Sequence, residues 1–143
     1  MKLSEKGLKI LHAREGFRLK PYLDSKGVPT IAMGNTYYLD GRPVKMNDKP
    51  LTYDQANNIS KIIADEFASF VNSKITREIN QNQFDALVSL AYNIGKGGFS
   101  RSTVLKLVNK NPCDPAIGPA FMLWTKDKEL IGRRKLEVKQ YYS

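Results

Sequence analysis

Apolar residues recur along this chain at helical spacing, then at strand spacing, then at helical spacing again. Near the start, Leu8, Ile10 and Leu11 follow Ser4, whose hydroxyl suits a helix N-cap. This first helix is expected to end near Arg14 or Glu15, with Gly16 as the residue past its C-terminus. From Phe17 to Val44 the period shortens, and short β-type runs alternate with turn signals. DSKG at Asp24 to Gly27 is one such turn, and Asp40-Gly41 between TYYL and RPV is another. A small three-stranded antiparallel sheet is expected, with Pro43 putting the last strand on an edge.

Helical spacing returns at LTYDQ, where Thr52 and Gln55 match a capping box. Ala56, Ile59, Ile63, Phe67 and Phe70 then share one face, predicting a helix to about Ser73 that is long enough to bridge two lobes. Asn80 and Gln83 repeat the cap ahead of QFDALVSLAYNIG, which is apolar on most faces and reads as a central buried helix. Gly95, Gly97 and Gly98 are expected to end it, and SRSTVLKLVN forms a short helix beyond. Asp114-Pro115 opens a further helix from Ala116 to Thr125. That segment holds Trp124, the only tryptophan, whose large ring is expected in the core. The pattern describes an α+β chain, mainly helical, with a small antiparallel β-hairpin lobe.

Composition narrows the class. The 143 residues suit one compact domain, and 41% hydrophobic content supplies a core. No run approaches the ~18 apolar residues of a membrane span. The polar MKLSEKGLKILHAREG is not expected to act as a signal peptide. Cys113 is the only cysteine and His12 the only histidine, so neither a disulfide nor a zinc constellation is available and no cofactor is implied. His12 reads as a surface or packing residue and not as a catalyst. The net charge of +9 favours anionic polymers, nucleic acid or bacterial envelope. No nucleic-acid motif appears, and the basic residues form no single stripe. The GKGG at Gly95 to Gly98 lacks the spacing and the trailing Lys-Ser/Thr of a phosphate loop.

Candidate chemistry concentrates in EGFRLKPYLDSKGVPTIAMGNT, from Glu15 to Thr36. Eight residues separate Glu15 from Asp24, and five separate Asp24 from Thr30. A helix end, a turn and a strand can aim these three polar groups at one place. Paired carboxylates suit glycosidic cleavage, one delivering a proton to the leaving oxygen and the other, ionised, orienting water. A threonine hydroxyl can help to hold that water. The same three residues also fit an ordinary polar hairpin after a helix end.

The flanking residues favour the first reading. Glu15, Gly16, Arg18, Leu19, Tyr22, Asp24, Gly27, Thr30, Ile31 and Gly34 fall in register with EG-x-R-L-x-x-Y-x-D-x-x-G-x-x-TIG-x-G. The stretch closely resembles the phage-type lysozyme (endolysin) family, glycoside hydrolase family 24. The resemblance implies a single bilobed domain: a β-rich lobe at about 14–51, a linking helix at 52–73, and a helical lobe of 1–13 plus 74–143, with the substrate cleft between the lobes. It implies a muramidase that hydrolyses the β-1,4 bond between N-acetylmuramic acid and N-acetylglucosamine in peptidoglycan. Glu15 would be the general acid, and Asp24 with Thr30 would position water. Asn93, Phe99 and Ser102 match the segment framing the far wall of the cleft, and GRRKLE matches the C-terminal Arg-Arg-x-x-Glu helix. Asn93, Ser102, Arg133 and Arg134 are therefore the expected substrate-binding residues.

The expected setting is that of a monomeric phage endolysin. It would wait in the host cytoplasm until a separate membrane-permeabilising protein releases it, and its basic surface would hold it on the anionic envelope. Two departures stand out, Ala32 in place of a Gly and Asn35 in place of a His. The alternative is a noncatalytic wall-binding or virion structural module that kept the fold. The complete Glu15, Asp24 and Thr30 set argues against it, because a binder needs no acid.

Overall fold

The computed structural model describes every residue from Met1 to Ser143. In chain order it runs α1 (Glu5–Glu15), β1 (Arg18–Leu23), β2 (Pro29–Ala32), α2 (Tyr53–Lys74), α3 (Gln81–Arg101), α4 (Thr103–Lys110), α5 (Ile117–Phe121) and α6 (Glu129–Tyr141). The architecture is α+β and mainly helical, with one small antiparallel sheet. No helix is long and apolar enough to cross a membrane.

The helix starts follow local chemistry. Ser4 Oγ accepts from the Gly7 N–H at 2.8 Å. Thr52 and Gln55 bond reciprocally, at 2.9 and 3.2 Å, and so do Asn80 and Gln83, at 2.9 and 2.8 Å. α1 stops because Gly16 turns left-handed, φ 89°, and donates to the His12 carbonyl at 2.9 Å.

Three expectations need correction. The expected third strand is not part of the sheet, which has only β1 and β2. Residues 36–44 instead fold on themselves through one bridge, Tyr37 to Pro43, and through Tyr38 N–H to Arg42 O and Val44 N–H to Thr36 O. Pro43 has no N–H with which to extend a ladder. Secondly, Gly95 interrupts α3 as expected, at φ 85° and ψ 161°, but the helix resumes through Gly97 and Gly98 to Arg101. At Gly98 a Cβ would come within 3.3 Å of Trp124 Cη2, so this glycine serves close packing. Finally, the helix after Pro115 is only five residues long, Ile117–Phe121. Asp114 Oδ1 accepts from the Ala116 N–H at 2.8 Å, but Ala116 is the N-cap and no side chain caps the helix; Trp124 lies beyond it, half-buried against the core.

The chain divides into two compact units, one of Leu8–Ala64 and the other of Met1–Gly7 with Asp65–Ser143. The core of the first is Ile31, Ala32, Val44, Ala56 and Ile59, edged by Phe17, Tyr38 and Leu51. The second packs α3 against α6 around Phe84, Leu87, Leu90, Phe99, Ile117 and Phe121. Buried Asp85 ties the N-terminus into this unit, accepting from Ser4 Oγ at 2.5 Å and Gln81 Nε2 at 2.7 Å. Gly7 faces that carboxylate so closely that a Cβ would lie 2.6 Å from it.

Candidate active site

Glu15, Asp24 and Thr30 all lie in the Leu8–Ala64 unit. Glu15 is the last residue of α1, and the left-handed Gly16 turns the chain from there towards β1. β1 and β2 pair antiparallel with Tyr22 opposite Thr30 and Leu23 opposite Pro29. Asp24 opens the connecting turn, in which Gly27, φ 77°, donates to the Asp24 carbonyl at 3.0 Å.

Inside this turn the side chains are fixed by backbone groups. Asp24 Oδ1 accepts from the Lys26 N–H at 2.8 Å and the Val28 N–H at 2.9 Å. The Val28 carbonyl accepts twice, from the Asp24 N–H at 3.0 Å and from Thr30 Oγ1 at 2.8 Å. Thr30 is buried, only 2% exposed, whereas Glu15 and Asp24 are half-buried. One residue, Val28, thus holds both Asp24 and Thr30. Side-chain patterns missed it because it contributes only its peptide groups.

His12 sits three residues before Glu15 and is buried. Its ring stacks on Phe17 with centroids 4.1 Å apart. Its Nε2 lies 2.8 Å from Ser60 Oγ, which itself donates to the Asn57 carbonyl at 3.0 Å. Nε2 is therefore the donor in the first bond. Burial lowers the pKa of His12 and favours the neutral ring. Of the two roles expected, surface or packing, these contacts select packing.

The four expected substrate-binding residues belong to the other unit. Arg134 is fully buried; it donates to Asn93 Oδ1, to Glu137 Oε1, and through Nε to the Trp124 carbonyl at 2.9 Å. Glu137, also fully buried, accepts from Ser89 Oγ at 2.5 Å and Arg133 Nε at 3.2 Å. Arg133 further donates to the Ser89 carbonyl at 3.0 Å. Asn93, Arg133 and Arg134 therefore share one network, with Ser89 and Glu137 as members the sequence reading did not single out. Ser102 lies outside it. Its hydroxyl caps α4, accepting from the Leu105 N–H at 3.1 Å and donating to the Phe99 carbonyl at 2.7 Å.

Known proteins share the sequence and the fold of this chain. The family model described as phage lysozyme matches residues 12–137. The endolysin of Salmonella phage P22 is 38% identical over 141 residues, covering 96% of this chain and 95% of the relative. An endolysin from Acyrthosiphon pisum secondary endosymbiont phage 1 is 35% identical over 128 residues, covering 90% and 83%. Among solved structures, a P22 lysozyme mutant superposes with a TM-score of 0.91 at 37% identity, covering 100% of this chain and 99% of the other. The chain belongs to the phage lysozyme family. It is a glycoside hydrolase that acts on peptidoglycan.

The two departures from the phage lysozyme pattern, Ala32 within it and Asn35 just after it, are both buried. Ala32 keeps a left-handed backbone, φ 58°, despite its Cβ. Asn35, 7% exposed, donates from Nδ2 to the Ile59 carbonyl on α2 at 3.0 Å and accepts from the Met33 N–H at 3.4 Å. The acceptor of the Asn35 amide is thus a main-chain carbonyl within the same unit.

Proposed function

We propose that this phage lysozyme cleaves the β-1,4 bond between N-acetylmuramic acid and N-acetylglucosamine by a single displacement, with Glu15 as general acid and with Asp24 and Thr30 holding the attacking water. The observation that carries this reading is the turn between β1 and β2. There the peptide groups of Val28 fix an acceptor carboxylate and a hydroxyl together, one strand beyond the helix that ends in Glu15. Positioned groups of this kind act through orientation, which replaces the entropy of a chance encounter.

Arg133, Arg134 and Asn93 are proposed to support the substrate-binding surface as one connected polar network, and Ser102 by fixing the start of α4. For Arg134 and Ser102, both buried, positioning fits better than direct contact with sugar. We also propose a monomeric endolysin that is held in the host cytoplasm before lysis and drawn to the anionic envelope by its net charge of +9, with no specific nucleic-acid target.

Glu15→Gln tests the chemistry. The amide keeps the size of the side chain but has no proton to deliver, and general acid catalysis is worth ~10²–10⁴-fold. The folded variant should bind peptidoglycan and lose lysis to that extent. Lysis near the wild-type rate would remove Glu15 from the mechanism.

A further inference from the structure

We propose that the Val28 carbonyl, by taking the hydroxyl proton of Thr30, turns the Asp24 and Thr30 pair into two acceptors with no donor, and that this polarity selects water over an alcohol as the nucleophile. The inference rests on the roles assigned above to Asp24 and Thr30.

A carbonyl can only accept, so the bond of 2.8 Å between Thr30 Oγ1 and the Val28 oxygen commits the single hydroxyl proton. Towards anything else, Thr30 offers lone pairs alone. Ionised Asp24 is likewise acceptor-only. Its Oδ1 already takes the Lys26 and Val28 N–H groups, which leaves Oδ2 as the oxygen for the nucleophile.

Water carries two hydrogens and satisfies both acceptors while one of its two lone pairs faces the anomeric carbon. The proton of Glu15 passes to the leaving oxygen as the glycosidic bond breaks. The water oxygen bonds the anomeric carbon, and one water hydrogen passes to Asp24. The other hydrogen stays on the new hydroxyl, still directed at Thr30. An alcohol has one hydroxyl hydrogen, which Asp24 must receive for the displacement to balance. Its carbon substituent then faces Thr30 Oγ1 and leaves that acceptor unpaired. Thr30 is 2% exposed, so bulk water is not at hand to repair the loss. Thr30 would thus determine specificity for the acceptor and keep the reaction hydrolytic.

The test is to digest peptidoglycan in buffer containing methanol and to compare methyl glycosides with free reducing ends by mass spectrometry. Wild type should form methyl glycoside at least about tenfold below the methanol-to-water mole ratio, the order expected for one unpaired acceptor. Thr30→Val keeps the volume and removes the acceptor, so its product ratio should move towards the mole ratio. Thr30→Ser keeps the hydroxyl and adds space, so it should exclude methanol as wild type does.

Wild-type methanolysis at the mole ratio would overturn the inference, and so would undiminished exclusion by Thr30→Val. If Thr30→Val releases too little product to measure, Thr30→Ser decides. Retained exclusion supports polarity, and relaxed exclusion means that size was the filter. Glu15→Gln in the same assay separates the two levels. Wild-type release of both products by that variant would remove the acid assignment on which the roles rest. Loss of both, beside wild-type methanolysis at the mole ratio, would remove only the polarity claim.

Discussion

Ala32 holds a left-handed backbone, φ 58°, with its methyl fully buried. An L-residue costs roughly 1–2 kcal/mol there. Burying the methyl contributes about 0.8 kcal/mol, and a glycine would lose roughly 0.5–1 kcal/mol more backbone freedom on folding. These terms nearly cancel, which explains how an alanine occupies a position where the family pattern has glycine. Asn35 is different, because both ends of its amide are bonded in the interior. Asn35→Ala leaves the Ile59 carbonyl without that donor, at a cost of ~1–3 kcal/mol. Urea unfolding should show a loss of that size, and an unchanged midpoint would mean that the bond contributes nothing. The departure at Asn35 was legible in the sequence; its partner, 24 residues away, was not.

At the scale of elements, sequence reading worked where the determinants are local. The Ser4 cap, the two capping boxes and the break at Gly95 each depend on a few adjacent residues, and each lies where expected. It failed where distant packing decides. Gly97 and Gly98 look like terminators, yet the half-buried Trp124 ring packs over Gly98 and the helix continues. The polar core of α3 and α6 joins Arg134 to Asn93, 41 residues away, and Ser89 to Glu137, 48 away, so no local pattern announces it. Losing one partner from a buried ion pair typically costs ~3–5 kcal/mol, so α6 depends on this network as well as on apolar packing. In α1, buried His12 makes stability depend on pH. Its folded pKa lies below that of the unfolded chain, so its contribution is complete above ~6.5 and is lost as pH falls through the lower folded value. Unfolding midpoints should fall on mild acidification, and less steeply in His12→Phe. Equal slopes in the two proteins would assign the acid sensitivity to other groups.

Over the whole molecule, 23 basic residues against 14 acidic ones give a long-range attraction to an anionic wall. The Debye length falls from ~10 Å at 0.1 M salt to ~3 Å at 1 M, so lysis should weaken across that range. A flat salt profile would show that net charge plays no part in capture. The central claim is the single displacement by a water held on Asp24 and Thr30. Retaining enzymes bring their carboxyls ~5–5.5 Å apart so that one attacks the sugar, whereas inverting enzymes leave ~6.5–9.5 Å for water. A second anchor such as Thr30 serves a water and is not needed by a carboxylate nucleophile. Proton NMR of the products in the first moments of digestion, before mutarotation, reads the outcome directly. The new reducing end should appear first as the α anomer from the β-linked substrate. A β anomer formed first, or a trapped glycosyl adduct on Asp24, would contradict the mechanism.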